Sequence, residues 1–426
     1  MDFVADNWDD RLQGKGAAGH WRSCIALAIL LVHIPFGRIA AASPPPSASS
    51  LRNNRFNHIT VEQGLTDQRV QAILQDRAGF MWFGTSNGLD RFDGYRIVAY
   101  RADATNPFSL SGNLITDLLE DRNGALWVAT RSGLNLFDPR TERFTRYVHD
   151  PANPKSLSDN TVFTIHEDRD GVLWVGTLGG VNRFDSATGT FTRYRHDPTD
   201  PRSLAENAVQ AMYEDRSGAL WVGTFGGLDR LDRATGTFTH YRHDAADPDS
   251  LSHDVVWDIL EDRRGRLWVA TDGGGLERFD RDSGKFIHHR HDPANPSSLT
   301  ADRVDSLYED ASGAIWVGTF GGGLSVLDPE RGTFVNHRHD PRAPTSLSAD
   351  YIAVIAGERS GMIWLGLQGG GVDVYNPDAQ SFSVLEPLQG AEKVDSPSVW
   401  SLHEGRDGEL WLGTQGQGLV LSLIHI

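Results

Sequence analysis

Residues 207–242, NAVQAMYEDRSGALWVGTFGGLDRLDRATGTFTHYR, decide the fold of this chain. Short segments rich in Val, Trp, Thr, Phe and Tyr alternate with glycines in this stretch. Helices drawn through it would carry several glycines, each costing about 1 kcal/mol, so strands joined by tight turns are favoured. We label the four strands A (Val209–Asp215), B (Leu220–Thr224), C (Leu228–Asp232) and D (Phe238–Arg242).

The same four-strand unit recurs through most of the chain. A tryptophan in strand B marks each copy, at Trp82, Trp127, Trp174, Trp221, Trp268, Trp316, Trp364 and Trp411. Neighbouring tryptophans are 45 to 48 residues apart, most often 47. A fixed period of this size indicates an array of either paired helices or propeller blades, and the glycines favour blades. Neighbouring blades would cover strand B on both faces, which explains its consecutive apolar residues. The sequence therefore predicts an all-β fold, a β-propeller of four-stranded antiparallel blades.

Two blade counts, seven and eight, remain open. Residues 55–59 resemble a strand D that lacks the other three strands, and residues 398–421 supply strands A, B and C without a following D. Exchange of strands between the termini would close a ring of eight and remove sheet edges. The link after Phe382 lacks the His-Asp pattern of the earlier links. That break favours a ring of seven followed by the first unit of a second ring.

The segment before the repeats has the features of an export signal. Residues 24–36 form an apolar run shorter than the roughly 20 residues that a bilayer span needs, and small residues follow at 40–42. The acidic start is unusual for a signal and indicates a start codon downstream of Met1. The chain is thus divided into a signal peptide (1–42), a Pro/Ser-rich linker (43–54), the propeller repeats (55–420) and a non-native tail that matches no repeat (421–426).

Composition excludes several classes of function. The 426 residues include 57 acidic and 40 basic side chains, a formal net charge of −17. Such a surface repels phosphate groups, so we predict no nucleic-acid partner and no binding to a membrane surface. The single cysteine, Cys24, lies in the predicted signal. The mature chain would therefore contain neither a disulfide nor a cysteine-based metal site.

The recurring unit Glu-Asp-x-x-Gly-x-Leu-Trp-Val-Gly-Thr-x-Gly-Gly-Leu-x-Arg-Phe-Asp resembles the two-component regulator propeller repeat. The opening, Phe56–Leu65, resembles that family too, and the resemblance covers residues 55–420. It implies the periplasmic sensor part of a receptor whose rings typically have seven blades and often sense carbohydrate. A membrane helix and an output domain, either a histidine kinase or a diguanylate cyclase, usually follow. The resemblance thus implies an N-terminal fragment of a membrane-anchored receptor and leaves a homodimer open.

Polar residues that repeat with the blades are predicted to be structural. Histidines recur in the D–A links, one blade apart, so they cannot converge on one metal ion. They are His149, His196, His243, His291 and His339. Glu-Asp pairs recur at the end of strand A, as in Glu214-Asp215, and are predicted to cap turns rather than to act as glycosidase carboxylates. We predict no catalytic residue, no metal and no cofactor.

Positions that differ between blades are better candidates for function. In a propeller the B–C links and the D–A links emerge on one face. The first residue of the B–C link and one residue of strand A near the axis vary there. Aromatic rings mixed with amides and charges suit a small-molecule or oligosaccharide ligand, whereas ordinary surface drift is the alternative. The candidate ligand-binding residues are Arg131, Phe163, Phe225, Trp257, Asp272, Phe320, Gln368 and Trp400.

The expected function is that of a periplasmic, non-catalytic sensor propeller. Enzymatic activity, as a kinase or cyclase, would belong to the output domain of the full-length receptor. Two alternatives stay open: a secreted polysaccharide lyase or glycosidase, and a scaffold that binds only other proteins. Turnover of a polysaccharide by the purified chain would favour the enzyme, and a protein partner without glycan binding would favour the scaffold.

Overall fold

The computed structural model describes residues 55–377, 399–404, 410–414 and 418–422. The predicted signal peptide and linker, and the end of the predicted tail from residue 423, lie outside these residues. A single turn of 3-10 helix, Val61–Gln63, follows the first strand, β1 (Phe56–Ile59). Strands account for the other regular structure of the described part.

The first four blades each consist of four consecutive strands. Blade 1 contains β2 (Val70–Gln75), β3 (Met81–Thr85), β4 (Gly88–Phe92) and β5 (Ile97–Tyr100). Blade 2 contains β6 (Ile115–Glu120), β7 (Leu126–Thr130), β8 (Gly133–Asp138) and β9 (Arg143–Tyr147). Blade 3 contains β10 (Val162–Glu167), β11 (Leu173–Thr177), β12 (Gly180–Asp185) and β13 (Thr190–Tyr194). Blade 4 contains β14 (Val209–Glu214), β15 (Leu220–Thr224), β16 (Gly227–Asp232) and β17 (Thr237–Tyr241).

The remaining strands form three more blades and one incomplete sheet. Blade 5 contains β18 (Val256–Glu261), β19 (Leu267–Thr271), β20 (Gly275–Asp280) and β21 (Lys285–His289). Blade 6 contains β22 (Val304–Glu309), β23 (Ile315–Thr319), β24 (Gly323–Asp328) and β25 (Thr333–His337). Blade 7 contains β26 (Ile352–Gly357), β27 (Ile363–Leu367), β28 (Val372–Tyr375) and β1. The eighth repeat forms a three-stranded sheet of β29 (Val399–Glu404), β30 (Leu410–Thr414) and β31 (Gly418–Ser422).

The N-terminal strand closes the ring at seven blades. β1 pairs antiparallel with β28, with Phe56 opposite Tyr375 and Ile59 opposite Val372, and so takes the place of strand D in blade 7. The eight-bladed closure, in which residues 55–59 would complete the last repeat, is therefore wrong. Similarity of residues 55–59 to a strand D identified the strand but not its partner, since nothing within these five residues specifies which blade they complete.

The tryptophans pack between blades, as the strand B pattern predicts. Seven clusters of buried side chains fill the seven blade interfaces, and each combines one strand B tryptophan with residues of the next blade. Trp364 of blade 7 lies with Val70 and Phe83 of blade 1, which confirms that the hydrophobic core runs around a closed ring. The indole N–H of each strand B tryptophan in the seven blades donates to the carboxylate that ends strand A, as in the 2.8 Å bond from Trp221 to Asp215.

The Glu-Asp pairs divide into two structural roles. The aspartate caps its A–B turn as predicted; Asp215 Oδ1 accepts the N–H groups of Ser217 at 2.9 Å and Ala219 at 3.0 Å. The prediction that the glutamate also caps the turn is wrong. Glu214 accepts the main-chain N–H of Arg169 in the preceding blade at 2.6 Å. The same contact recurs between blades because each glutamate, at the end of strand A, points toward its neighbour rather than its own turn.

The histidines that recur in the D–A links have the structural role predicted for them. Each Nδ1 lies 2.6–2.9 Å from the main-chain oxygen of a leucine eight residues later in the same link. These leucines are buried, so the histidine fixes the link over the core. Among the residues that the structure describes, no group of three or more His, Cys, Asp or Glu side chains is arranged to hold a metal ion.

Within the described part of the chain, no helix has both the length and the apolar character that crossing a bilayer takes.

Candidate functional site

One face of the ring carries the variable positions that the sequence singles out. In each blade the first residue of the B–C link donates its main-chain N–H to the oxygen of the residue that precedes strand A, as Arg131 does to Leu114 at 3.1 Å. The two residues thus extend the ladder between strands A and B by one pair. Together with the second residue of strand A, they form what we call the rim, at one end of the innermost strands.

The rim of blades 4 to 7 brings together four of the predicted residues. Phe225 and Trp257 meet edge to face, with ring centroids 5.8 Å apart. The guanidinium carbon of Arg303 lies 5.7 Å from the Trp257 ring centre and 4.0 Å from that of Phe320. The Nε atom of Arg303 lies 2.9 Å from the Asp272 carboxylate. Contacts therefore run without interruption from Phe225 to Phe320.

Three residues that the candidate set omits complete this group. Arg303 is its centre, and its Nε also lies 3.6 Å from the carboxylate of Asp305. Tyr351 packs edge to face on Phe320, with ring centroids 4.3 Å apart. We define the rim cluster as Phe225, Trp257, Asp272, Arg303, Asp305, Phe320 and Tyr351. Asp305 occupies the variable strand A position, whereas Arg303 and Tyr351 precede strand A.

An extra glycine in the B–C links positions this cluster. The links of blades 5, 6 and 7 contain three consecutive glycines and are one residue longer than those of blades 1 to 4. Gly321 has a φ of 81°, which favours glycine, and its N–H donates to the Asp350 oxygen of the next blade at 3.0 Å. Gly273 contacts Asp302 in the same way at 3.1 Å. These inter-blade bonds bring Tyr351 against Phe320 and Arg303 against Asp272.

The electrostatics of the rim cluster reflect burial beside two carboxylates and one guanidinium. Burial raises the pKa of Asp305 to about 6, although the Arg303 guanidinium acts in the opposite direction. Burial, followed by the Asp305 carboxylate, raises the pKa of the Tyr351 hydroxyl above its usual range. Two buried donors have no hydrogen-bond partner within the described part of the chain: the indole N–H of Trp257 and the amide nitrogen of Gln210, which occupies the equivalent strand A position in blade 4. The unpaired indole donor of Trp257 therefore lies within the rim cluster.

Arg131 and Phe163 form a separate pair on the rim of blades 2 and 3. The guanidinium carbon of Arg131 lies 4.3 Å from the centre of the Phe163 ring. Desolvation lowers the pKa of this guanidinium from its ordinary value. Stacking holds the side chain in place, and its N–H groups remain available because no described carboxylate pairs with it.

Gln368 and Trp400 are not brought into the rim cluster by side-chain contacts. Gln368 lies on the rim, where its N–H donates to the Tyr351 oxygen at 3.1 Å. Trp400 belongs to β29 of the eighth repeat, whose sheet is hydrogen-bonded to none of the seven blades. Its side chain lies outside the described part of the structure, so its role in binding stays a prediction.

Two carboxylates farther along the innermost strands, those of Asp117 and Asp258, form hydrogen bonds across blade interfaces. Asp117 accepts the N–H of Ile165 at 2.7 Å, and Asp258 accepts the N–H of Leu307 at 2.8 Å, in each case from the following blade. Burial raises the pKa of Asp117 to about 6 and that of Asp258 to about 7. Because both carboxylates bind main-chain donors of the next blade, they contribute to blade packing.

A serine, a glutamate and a histidine also meet in blade 5. Ser252 Oγ contacts Glu277, and the other carboxylate oxygen of Glu277 contacts His288 Nδ1. In a hydrolase the histidine lies between serine and carboxylate so that it can accept the serine proton. Here the carboxylate lies in the middle, and His288 Nε2 faces the Pro248 oxygen at 2.7 Å. This arrangement does not activate the serine.

Two family models match the chain. The model described as the SMP-30/Gluconolactonase/LRE-like region matches residues 123–348, more than half of the chain. The model described as the two component regulator propeller matches residues 64–87, 109–132 and 393–416. A comparison with curated proteins finds no match.

Solved structures with the same fold include extracellular sensor domains. The extracellular domain assigned to a hybrid two-component system of B. thetaiotaomicron is 28% identical, with a TM-score of 0.67, over 87% of this chain and 48% of that one. A second extracellular domain from that organism, assigned to a one-component system, is 24% identical, with a TM-score of 0.62, over 86% and 46% of the two chains. This chain thus spans about half the length of either domain.

An enzyme shares the fold at lower identity. Virginiamycin B lyase from Staphylococcus aureus is 15% identical, with a TM-score of 0.57, over 76% of this chain and 99% of that one. At this identity the likeness extends to the propeller fold and not to the chemistry of the lyase.

Proposed function

Because the chain belongs to the SMP-30/Gluconolactonase/LRE-like region family and carries two-component regulator propeller repeats, we propose that it is the ligand-binding propeller of an exported signalling receptor. Similarity to the extracellular domains of two-component systems supports this assignment. In the proposed receptor the ring lies in the periplasm, and a histidine kinase or a diguanylate cyclase reports occupancy inside the cell.

The rim cluster is the proposed binding site. The observation that carries the proposal is the packing of Arg303 against Phe320 and Trp257 while its Nε faces Asp272. Ring faces beside charged donors and acceptors are suited to a hydroxyl-rich molecule, since sugar rings stack on aromatic faces and their hydroxyls form hydrogen bonds. We therefore propose an oligosaccharide ligand, with the Arg131–Phe163 pair as a second point of contact.

A triple substitution tests this site. Replacing Arg131, Trp257 and Asp272 by alanine should abolish binding to an oligosaccharide selected on an array of neutral and acidic glycans. Hot-spot anchors, which are enriched in Trp and Arg, contribute about 2 kcal/mol or more, so truncation of Arg131 or of Trp257 should by itself weaken binding at least roughly tenfold. These side chains are incompletely buried, so unfolding midpoints should change little. Titration calorimetry measures affinity, and thermal unfolding verifies the fold.

Two further variants locate the contacts within the rim. Trp257→Ala with Asp272→Ala removes part of the rim cluster alone, and Arg131→Ala removes the second contact alone. Gln71→Ala, at the equivalent strand A position of blade 1, is the matched control. Undiminished binding by the folded triple variant, or equal loss with Gln71→Ala, would show that the ligand binds elsewhere.

We further propose that this chain has no catalytic activity of its own. The propeller fold shared with a lyase makes turnover the relevant test. Incubating the purified chain with the selected oligosaccharide, followed by mass spectrometry, should return the oligosaccharide intact. Cleavage products that disappear in the triple variant would establish the enzyme alternative, and a specific protein partner without glycan binding would establish the scaffold.

A further inference from the structure

In three of the seven blades the D–A link is held by a further histidine, distinct from the histidines within the links themselves. The histidine lies in strand D, its Nδ1 faces a carboxylate of strand C, and its Nε2 faces the main-chain oxygen of a proline in the link that enters strand A of the same blade. The three sets are His58 with Asp373 and Pro344, His240 with Asp229 and Pro201, and His288 with Glu277 and Pro248. We call each set a link latch.

The geometry of the link latches requires doubly protonated histidine. In His58 the Nδ1–Asp373 distance is 2.6 Å and the Nε2–Pro344 distance is 2.9 Å; in His240 the corresponding distances are 2.6 Å and 2.9 Å. A carboxylate and a carbonyl oxygen both accept hydrogen bonds, whereas a neutral imidazole has only one N–H. In His240 the two bonds can therefore form together only on the imidazolium. In His58 the Ser348 hydroxyl also lies 2.7 Å from Nδ1, and the same charge state applies while that hydroxyl donates to Asp373.

Asp373 and Asp229 are also held by other donors. Asp373 accepts the Ser348 N–H at 2.8 Å and the Ser348 hydroxyl at 2.5 Å. Asp229 accepts the Ala205 N–H at 2.7 Å. Donors on the remaining lone pairs favour the ionised carboxylate, and an ionised carboxylate favours the charged histidine.

Blades 2 and 3 make the same connection with a permanent cation. Arg193 pairs with Asn182 across strands D and C, and its guanidinium donates to the Ser156 oxygen at 2.8 Å and the Asn153 oxygen at 2.9 Å in the link. Arg146 binds its link in the same way. Arginine stays charged at all physiological pH values, whereas histidine titrates there. The same link is thus anchored by two chemically different cations.

The latched links lead directly to the proposed ligand site. The link held at Pro344 ends at Tyr351, which belongs to the rim cluster. The link held at Pro248 ends at Val255, two residues before Trp257. The link held at Pro201 enters blade 4, which supplies Phe225. Three of the four blades that form the rim cluster therefore depend on a histidine.

We propose that the link latches make the rim pH-sensitive: the latches of His58 and His240 are closed when these histidines are charged and released as they lose a proton. The part of this inference that concerns the ligand rests on the proposed function; the link latches themselves do not. Release at high pH would loosen the entries to strand A in blades 4 and 7 while the links of blades 2 and 3 stay fixed.

Shifts of pKa agree in sign with this geometry. The hydrogen bond to Asp373 raises the pKa of His58 above 6.5, and that to Asp229 raises the pKa of His240, against the opposing effects of burial and of Arg242. A raised folded-state pKa stabilises the folded protein below the unfolded value, and this stabilisation is lost as pH rises through the folded value. His288 faces Glu277, with Asp249 in the link and Arg290, the residue that follows the end of β21, as neighbouring charged groups.

Two ligand-free measurements on the full chain test the proposal. NMR titration of the histidine rings should give midpoints above 6.5 for His58 and His240. Hydrogen exchange, corrected for the intrinsic rate, should show that protection of link 197–207 falls between pH 6 and pH 8.5. Full titration across this window would change protection about tenfold for each unit by which the folded pKa exceeds the unfolded one. Link 150–160, held by Arg193, should keep its protection and is the internal control.

A latch exchange provides the matched variant. His240→Arg with Asp229→Asn copies the Arg193–Asn182 pair of blade 3 into blade 4, and it should make link 197–207 equally protected at both pH values. Midpoints at or below 6.5, or wild-type protection of link 197–207 that changes no more than that of link 150–160, would overturn the proposal. If the exchanged variant does not fold, the comparison of links 197–207 and 150–160 in the wild-type chain still tests the proposal. Since no ligand is used, neither result depends on the proposed binding site.

Discussion

Replacing Trp268 by alanine is expected to lower the free energy of unfolding by about 3–5 kcal/mol. The side chain is 1% exposed and packs in the interface with blade 6, against Leu299, Val304 and Leu307. The loss combines the transfer free energy of a large apolar group with the cavity left between two rigid sheets. Against a typical stability of about 5–15 kcal/mol this is a large fraction. Urea unfolding followed by circular dichroism measures it.

A phenylalanine at the same position separates packing from hydrogen bonding. Trp268→Phe keeps an aromatic ring between the blades but removes the indole N–H, which donates to Asp262 at 3.0 Å. Asp262 retains the N–H groups of Arg264 and Arg266 and the Arg266 guanidinium, so the expected cost is smaller, about 1–3 kcal/mol. Equal losses for the two variants, or a loss below about 1 kcal/mol for Trp268→Ala, would contradict the inter-blade role.

The four-stranded blades could be predicted from the sequence alone because the residues that determine them lie within one repeat. The period of the tryptophans, the glycines of the turns and the apolar strand B are all visible within one unit such as 207–242. The aspartate cap follows from the same unit, because Asp215 and the donors of its turn are neighbours in sequence. The role of the glutamate cannot be read from one unit, because its partner lies one blade away. For Glu214 the partner is Arg169, 45 residues earlier in the chain.

The rim cluster was only partly predictable for a related reason. Variation between blades identifies Phe225, Trp257, Asp272 and Phe320, since these occupy positions defined within one repeat. Arg303 and Tyr351 enter through bonds from the longer glycine links to the next blade. For blades 5 and 6 the extra glycine is visible in the sequence as a spacing of 48 rather than 47 residues to the next strand B tryptophan. Its consequence, a pairing across the blade boundary, requires the three-dimensional arrangement.

Because β1 closes the seven-bladed ring, substitution of Phe56 on this strand is the second change expected to lower the free energy of unfolding strongly. This residue is 2% exposed, lies opposite Tyr375 with ring centroids 6.0 Å apart, and belongs to the cluster that contains Trp316. Phe56→Ala should lower the free energy of unfolding by about 3–5 kcal/mol. Asn57→Ala, an exposed neighbour on the same strand, should change it by no more than about 0.5 kcal/mol. Equal effects of the two substitutions in urea unfolding would show that β1 does not stabilise the ring.

A disulfide distinguishes closure on blade 7 from closure on the eighth repeat. Asn57 lies opposite Val374 in the β1–β28 ladder, and antiparallel partners have Cα separations of about 4.5–5.5 Å, within the range that a disulfide spans. With Cys24→Ser removing the natural thiol, Asn57→Cys and Val374→Cys should oxidise to a cross-linked chain of altered mobility on a non-reducing gel. Asn57→Cys with Leu421→Cys should remain reduced. The reverse result would restore the eight-bladed closure, because a strand can complete only one of the two sheets at a time.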